Sequence, residues 1–284
     1  MQKRERIKYG VLVGLLLFTS FVWYVIALES RQGKLTVTFL DIGQGDAIFI
    51  DTPSGNQVLV DGGANKKVLS ELGRVMPFFD RSIDMIIATH PDRDHIGGLP
   101  WVMEKYAVTS VVEPGVKGES AESVHFNTLV SERGVKKELA RRGAVYDLGE
   151  GVKLTILFPD RDVSGLETND ASIVARLTYG NTSYLLTGDS PQKIENYLVS
   201  LDGVGLKSDV LKAGHHGSRT STSEAFVAAV LPSIAVISAG KNNSYGHPHK
   251  EVLGVLEKFK VKILRTYDRS RIKIISDGTS LKIK

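Results

Sequence analysis

His90, Asp92, Asp94 and His95 stand within six consecutive residues of the stretch Ala88–Leu99, ATHPDRDHIGGL. Imidazoles and carboxylates are what remains for holding a divalent cation when cysteine is absent, and this chain has none. In an extended loop, His90 and Asp92 can face one direction. Asp94 and His95 follow where the loop turns and can face a second point nearby. That spacing suits two metal ions close together better than one. A metal pair needs a carboxylate between its members, and YLLTGDS offers Asp189 at a strand end. Asp61 in VLVDGG also ends a strand, although Asp-Gly-Gly equally makes a turn. KAGHHGS supplies a further imidazole.

The other histidines follow the same style. Of the seven in the chain, six lie in three glycine-rich clusters, His90/His95, His215/His216 and His247/His249, each after a strand end. A structural histidine usually stands alone on an apolar face, which is how His125, isolated in a polar stretch, is read. His247 in YGHPH is the best-placed group to protonate a leaving oxygen or bind phosphate. Its plainer reading is a helix N-terminal turn, because Pro248 opens a helical pattern. Ser218 and the backbone N–H groups of HHGS are candidates to hold a phosphate oxygen.

Positioning such groups requires strands that end at one place. KLTVTFL alternates apolar Leu35, Val37 and Phe39 with threonine and reads as a half-buried strand. AIFI and QVLVDGG follow at hairpin spacing after the glycine-bracketed turn DIGQGD, Asp41–Asp46. Val68, Leu72, Val75 and Met76 change to helical spacing. IDMIIATH is then a continuous apolar strand that ends at His90, with a helix beginning near Leu99. VKLTILFP, SIVARLTYG and NTSYLLTGDS are further strands, and Ser190-Pro191 caps a helix. SDVLKAGHHGS is a strand running into a loop, with Ser221 and Glu224 as a capping box for the next helix. IAVISAG, RIKIIS and SLKIK complete the strands. Two β-rich halves, each alternating with helices, predict two sheets packed face to face with helices outside.

Composition adds an anchor. Gly10–Leu28 carries no charge and is long enough to cross a bilayer as a helix. Its flank holds Lys3, Arg4, Arg6 and Lys8 against Glu5, which places the N-terminus in the cytoplasm and the rest outside. A cleaved signal peptide would need small residues before a cleavage site, and VIALES is a poor match. The organisation expected is a cytoplasmic tail over 1–9, a transmembrane anchor over 10–28, a linker over 29–34 and a domain over 35–284. The net charge of +4 is no signature of a nucleic-acid binder. Four bases and two acids lie in residues 1–30, leaving +2, and Lys250–Lys284 alone holds ten bases and four acids. The intervening part is slightly acidic.

THPDRDHIGG resembles the H-x-[HD]-x-D-H signature of the metallo-β-lactamase fold, and VDGG, LLTGD and AGHHGS match that fold's remaining motifs in order. FLDIGQGDA, THPDRDHIGGL, LLTGD, LKAGHHGS and SAGKNNSYGHPH together resemble the extracellular C-terminal domain of ComEC-type DNA-uptake proteins, over Leu35–Lys284. The resemblance implies an αββα sandwich with the site at one edge. It implies two divalent ions, zinc or manganese. His90 and Asp92 would hold the first, Asp94, His95 and His215 the second, Asp189 would bridge them, and Asp61 would orient the loop from behind. Two positions depart from the broader pattern. A histidine usual before the strand that leads to Asp189 is missing, leaving Asn169 or Asp170 to serve. Asp92 stands where many members have histidine. Three carboxylates plus one hydroxide would neutralise two divalent ions, so an anionic substrate must be drawn by nearby bases such as Lys212, Arg219 and Lys241. A carboxylate there also favours manganese beside zinc.

The function expected is a membrane-anchored, extracytoplasmic, metal-dependent phosphodiesterase, with Asp94, His247, Lys212 and Ser218 as its reactive and substrate-facing groups. DNA as substrate comes from the resemblance. The alternatives are a hydrolase of another surface substrate, a wall phosphodiester or small ester, and a non-catalytic DNA-binding module. Transport by this chain alone is not expected, since it has one apolar segment where ComEC-type transporters carry a polytopic channel.

Overall fold

Alternation along the strands sorts their side chains onto two faces, and that sorting builds the layers. Ile48, Ile50, Val58 and Val60 enter one buried cluster, whereas Phe49 and Leu59 enter another. In the second half Tyr184, Leu186, Val210 and Val236 join the first cluster, and Leu185, Leu211 and Ile237 enter a third. The shared cluster lies between two sheets, and the other two lie between a sheet and its helices. This is the expected αββα sandwich.

The protein's structure is a computed structural model that describes residues 2–29 and 33–284. Residues 30–32 of the expected linker lie outside the described residues. The chain divides into two units, Met1–Gln32 and Gly33–Lys284. The first carries helix α1 (Gln2–Glu29), of which Arg4–Val25 is long and apolar enough to cross a membrane.

In the second unit, the first sheet takes β1 (Leu35–Leu40), β2 (Ile48–Asp51), β3 (Gln57–Val60), β4 (Ser82–Ile87), β5 (Ala107–Glu113) and β6 (Lys136–Leu139). The second takes β7 (Val145–Asp147), β8 (Val152–Phe158), β9 (Val174–Tyr179), β10 (Thr182–Leu186), β11 (Val210–Lys212), β12 (Ile234–Ile237) and β13 (Lys262–Arg265). The chain then returns to the first sheet with β14 (Arg271–Ser276) and β15 (Leu281–Ile283), giving the orders β15-β14-β1-β2-β3-β4-β5-β6 and β13-β12-β11-β10-β9-β8-β7. Pairing is parallel from β3 to β6 and from β10 to β13. Parallel strands present their C-terminal ends together, which is where such sheets place ligands.

The outer helices are α2 (Lys67–Val75), α3 (Arg93–Ile96), α4 (Leu99–Lys105) and α5 (Ala121–Glu132) on the first sheet. On the second they are α6 (Gln192–Asp202), α7 (Glu224–Val230) and α8 (Lys250–Lys258). Three details differ from the sequence reading. Asp94 and His95 sit on the single turn α3 rather than in open loop. The strands β5, β6, β7 and β13 and helix α5 were not anticipated. Helix α7 is capped by Ser223, whose side chain accepts from the Phe226 N–H, because Ser221 instead donates to the Ser190 carbonyl at 2.8 Å.

The segment before α7 is held by a buried acid on α6. Glu195 accepts the backbone N–H groups of Thr222 and Ser223 at 2.5 and 2.8 Å. Burial raises its carboxyl from 4.5 to about 7, with those hydrogen bonds opposing the rise. A raised carboxyl pKa means the protonated group stabilises the fold most at low pH, and the contribution fades as pH rises through the folded value. The stability difference between wild type and Glu195→Ala in urea unfolding is therefore expected to shrink by about 3 kcal/mol between about pH 4.5 and about pH 8. A difference that grows with pH contradicts this placement of Glu195.

Candidate metal centre

Five strand ends meet at one edge. β3 delivers Asp61, β4 delivers Thr89 and His90, β10 delivers Asp189, β11 delivers His215 and His216, and β12 delivers Ser238. Asp189 is almost fully buried, and its Oδ2 lies 3.2 Å from Nε2 of His95 and of His216, 3.7 Å from Nε2 of His215 and 4.0 Å from Nε2 of His90. Asp92 Oδ2 is 3.7 Å from His90 Nε2 on one side, and Asp94 Oδ2 is 3.2 Å from His216 Nε2 on the other.

Hydrogen bonds behind the cluster decide which nitrogen of each ring faces inward. The Thr89 hydroxyl donates to Asp61 Oδ2 at 2.7 Å, so toward His90 Nδ1, 3.1 Å away, it can only accept. His90 therefore carries its proton on Nδ1 and turns a lone pair inward from Nε2. His95 Nδ1 donates to Asp61 Oδ2 at 2.8 Å, and His216 Nδ1 donates to the Ser238 carbonyl at 2.9 Å. All three rings thus hold Nδ1 to a partner behind the cluster and aim Nε2 at the centre, the edge that a metal-ligating imidazole presents.

Electrostatics carry the same message. Burial opposes charge on His95 and His216, but Asp189, with Asp61 for the first and Asp46 for the second, outweighs it and raises both rings well above the usual histidine range. Burial and the His95 charge push His90 well below it. Burial also opposes charge on Asp189, yet His216, His95 and Lys212 hold its carboxyl well below the ordinary range. The buried carboxylates thus favour positive charge at His95 and His216, a demand that a divalent cation beside their Nε2 atoms would also meet. His90 Nε2 remains buried without a hydrogen-bond partner among the described residues. Such an orphan nitrogen costs about 1–3 kcal/mol unless something electrophilic meets it. The donor set of imidazole nitrogens and carboxylate oxygens fits divalent cations, and Asp46, His95, Asp189 and His216 bring ligand atoms within 4.8 Å of one another.

Several residues stand differently from the sequence reading. His216, not His215, is the buried imidazole beside Asp94 and Asp189. His215 is partly exposed at the rim, its Nδ1 3.2 Å from the Thr220 hydroxyl. Both adopt left-handed backbone angles, φ 46° and 55°, a strained turn of the kind found at functional sites. Lys212 is fully buried and cannot draw substrate from solvent. Its ammonium pairs with Asp46, donates to the Gly188 carbonyl at 2.9 Å and lies 3.5 Å from Asp189 Oδ1. Ser218 is also buried, its oxygen accepting from the Thr220 hydroxyl at 2.9 Å, so it shapes the turn rather than facing a phosphate. Asp170 pairs with Lys193, whereas Asn169 keeps a buried Oδ1 with no partner among the described residues. Arg219 and Lys241 are exposed.

Asp46 was missed. In the sequence DIGQGD shows only a turn, and that turn is what brings Asp46 in. Gly45 has φ 115°, and a Cβ there would sit 2.0 Å from the Asp94 carbonyl oxygen, so the two loops touch backbone to backbone. The Asp46 N–H donates to that carbonyl at 3.2 Å. Gln44 on the same turn reaches the last cluster. Its Oε1 accepts the Gly240 N–H at 3.2 Å, and its Nε2 faces His247 Nδ1 at 3.4 Å. Burial and the charges of His216, His215 and His249 lower the His247 ring to about 4. At neutral pH His247 is an uncharged imidazole with its proton on Nε2, a hydrogen-bond donor rather than a store of acid.

Asp61 supports two of the three rings, and it accepts the Thr89 N–H at 2.8 Å as well. In Asp61→Asn, an NH2 group must face either Thr89 N–H or His95 Nδ1. The second case moves the His95 proton to Nε2 and points it at Asp189. Asp61→Asn is expected to weaken manganese or zinc binding by about 10- to 100-fold in a titration while the circular dichroism stays native. Unchanged affinity contradicts this role.

Residues 40–241 match the family model described as the metallo-beta-lactamase superfamily. ComE operon protein 3 of Bacillus subtilis (strain 168) is 32% identical over an alignment of 285 positions, with 94% of this chain and 36% of that protein covered. Recombination protein 2 of Haemophilus influenzae is 30% identical over 281 residues, covering 96% of this chain and 32% of that protein. Competence protein ComA of Neisseria gonorrhoeae is 30% identical over 246 residues, covering 83% and 31%. The chain thus spans about a third of the length of these curated relatives. Among solved structures, Igni18, a metallo hydrolase from Ignicoccus hospitalis, superposes with a TM-score of 0.54 at 13% identity over 84% of this chain and 98% of its own. CmlA, a diiron beta-hydroxylase from Streptomyces venezuelae, superposes with a TM-score of 0.54 at 13% identity, over 84% and 53%. These two likenesses concern the fold alone. With its αββα layers and its cluster of histidines and aspartates at the strand ends, the chain belongs to the metallo-beta-lactamase superfamily and has competence proteins among its homologues.

Proposed function

We propose that this chain is a membrane-anchored, extracytoplasmic phosphodiesterase that depends on two divalent ions, manganese or zinc, and acts on DNA. One observation carries the reading. Asp189 Oδ2 lies within 4.0 Å of four imidazole nitrogens, with Asp92 beside His90 and Asp94 beside His216. A single carboxylate placed between two ligand groups is what a metal pair would share. In this reading His90 and Asp92 form one ligand group, and His95, Asp94 and His216 form the other.

Divalent ions held there would acidify a water molecule and offset charge on phosphoryl oxygens. The chain's own residues do the rest. Asp61, Thr89 and Ser238 keep the ring protons on Nδ1, so the inward nitrogens stay free to ligate. Lys212 neutralises Asp46, which leaves Asp189 available to the ligand groups. His247 Nε2–H is the donor available to a phosphoryl or leaving oxygen, and being uncharged it gives a hydrogen bond without a stored proton. Exposed Arg219 and Lys241 would draw the anionic strand, so binding should weaken as salt rises.

DNA as substrate is supported by the competence-protein homologues. Anchoring and orientation are supported by the apolar stretch of α1 and by the bases Lys3, Arg4, Arg6 and Lys8 on its flank.

The full chain in detergent, stripped with chelator, is expected to cut DNA only after manganese or zinc is restored, and Asp94→Ala should abolish cutting while remaining folded. Intact cells carrying the chain should cut added DNA and lose that activity after external protease. A metal-loaded chain that binds DNA and never cuts it points to a binding module instead, and activity that survives external protease contradicts the orientation.

A further inference from the structure

The recess over the ligand cluster measures about 180 Å³, and Gln44, His215, His247 and Tyr245 form its rim. Pockets that enclose whole drug-sized ligands run from about 300 Å³ upward, so this one takes a reacting phosphodiester group and leaves the flanking nucleosides outside. Whatever grips those nucleosides must lie on the rim.

Among the described residues, Tyr245 is the one phenol or phenyl ring lining it, and it is 65% exposed. Its ring stacks on His247 with centroids 5.6 Å apart and planes 21° apart. His247 in turn packs edge-on against His249 at 4.9 Å and His215 at 5.6 Å. One face of Tyr245 is therefore supported and the other is open to solvent. The loop beneath is firmly tied by Asn243. Its Oδ1 accepts the N–H groups of Tyr245 and His247 at 3.1 and 2.9 Å, and its Nδ2 donates to the carbonyls of Gly240 and His247 at 2.8 and 2.6 Å. An exposed aromatic on an immobilised loop is a preorganised surface, whereas a tyrosine serving only solubility needs neither the stack nor the ties.

We propose that Tyr245, backed by His247, is a stacking platform for one unpaired nucleobase next to the scissile phosphodiester, and that it makes the site prefer single-stranded over duplex DNA. The proposal rests on the phosphodiesterase reading above. In a duplex both faces of each base are covered by its neighbours, so an open tyrosine face has nothing to engage. In a single strand every base offers a π-face, and stacking on an aromatic ring tolerates any sequence.

The test compares wild type, Tyr245→Ala and Tyr245→Phe as full chains with equal metal content. The substrates are a single-stranded oligodeoxynucleotide, its duplex and an abasic deoxyribose-phosphate strand of the same length. Tyr245→Ala is expected to raise KM for the single strand about tenfold, with kcat within about twofold of wild type. Tyr245→Phe should restore wild-type KM, and the abasic strand should give the same KM with and without the ring. An unchanged KM, an equal loss on the abasic strand, or a preference for duplex overturns the platform. If the wild type cuts none of the three strands, the phosphodiesterase reading fails on its own. Fluorescence anisotropy with the same labelled strands then decides the platform, which requires about tenfold weaker single-strand binding by Tyr245→Ala.

Discussion

A carboxylate buried as deeply as Asp189 cannot stay charged unless positive or hydrogen-bonding partners surround it, and the rest of this site is arranged to supply them. Its partners come from distant parts of the chain: His90 and His95 from the first sheet, His216 and Lys212 from the second. None of them is adjacent to Asp189 in sequence. The edge of the sandwich is thus where two halves of the protein satisfy each other's charges. A cavity there without cations would strand the carboxylates. The upward shift of His95 and His216 reflects the same demand for positive charge at this edge.

The layers make that meeting possible. Parallel pairing in both sheets sends the C-terminal ends of β3, β4, β10, β11 and β12 to one edge. There, short connections hold the ligands by backbone contact rather than by long side chains. Gly45 lets the first turn lie on the Asp94 carbonyl, and the left-handed pair His215 and His216 turns one imidazole inward and one to the rim. Asp61 is left-handed too, at φ 59°, and is held there by Thr89 and His95. Strain collects where function would use it.

The parts of this arrangement that were legible in the sequence are those written in local spacing. Strand alternation and the tight run from His90 to His95 needed no partner to be read, and they led to the sandwich and the ligand loop. What escaped depended on contacts far apart in the chain. Nothing local tells His215 from His216. The choice is made by the Ser238 carbonyl at the end of β12 and by the Thr220 hydroxyl. Lys212 looked like a surface base, although its alternation with Val210 on β11 puts it on the inner face, where Asp46 waits. Asp46 itself was hidden behind turn chemistry, since glycine on either side of a polar residue says only that the chain bends.

Under the proposed function, Asp189 would be shared by a pair of divalent ions, one on the His90–Asp92 side and one on the side of Asp94, His95 and His216. Anomalous diffraction at the manganese edge, from crystals of the chain grown with manganese, tests it most directly. Two anomalous peaks are expected, each beside its own ligand group, with the Asp189 carboxylate touching both. A single peak, or peaks that leave Asp189 without a metal contact, would contradict it.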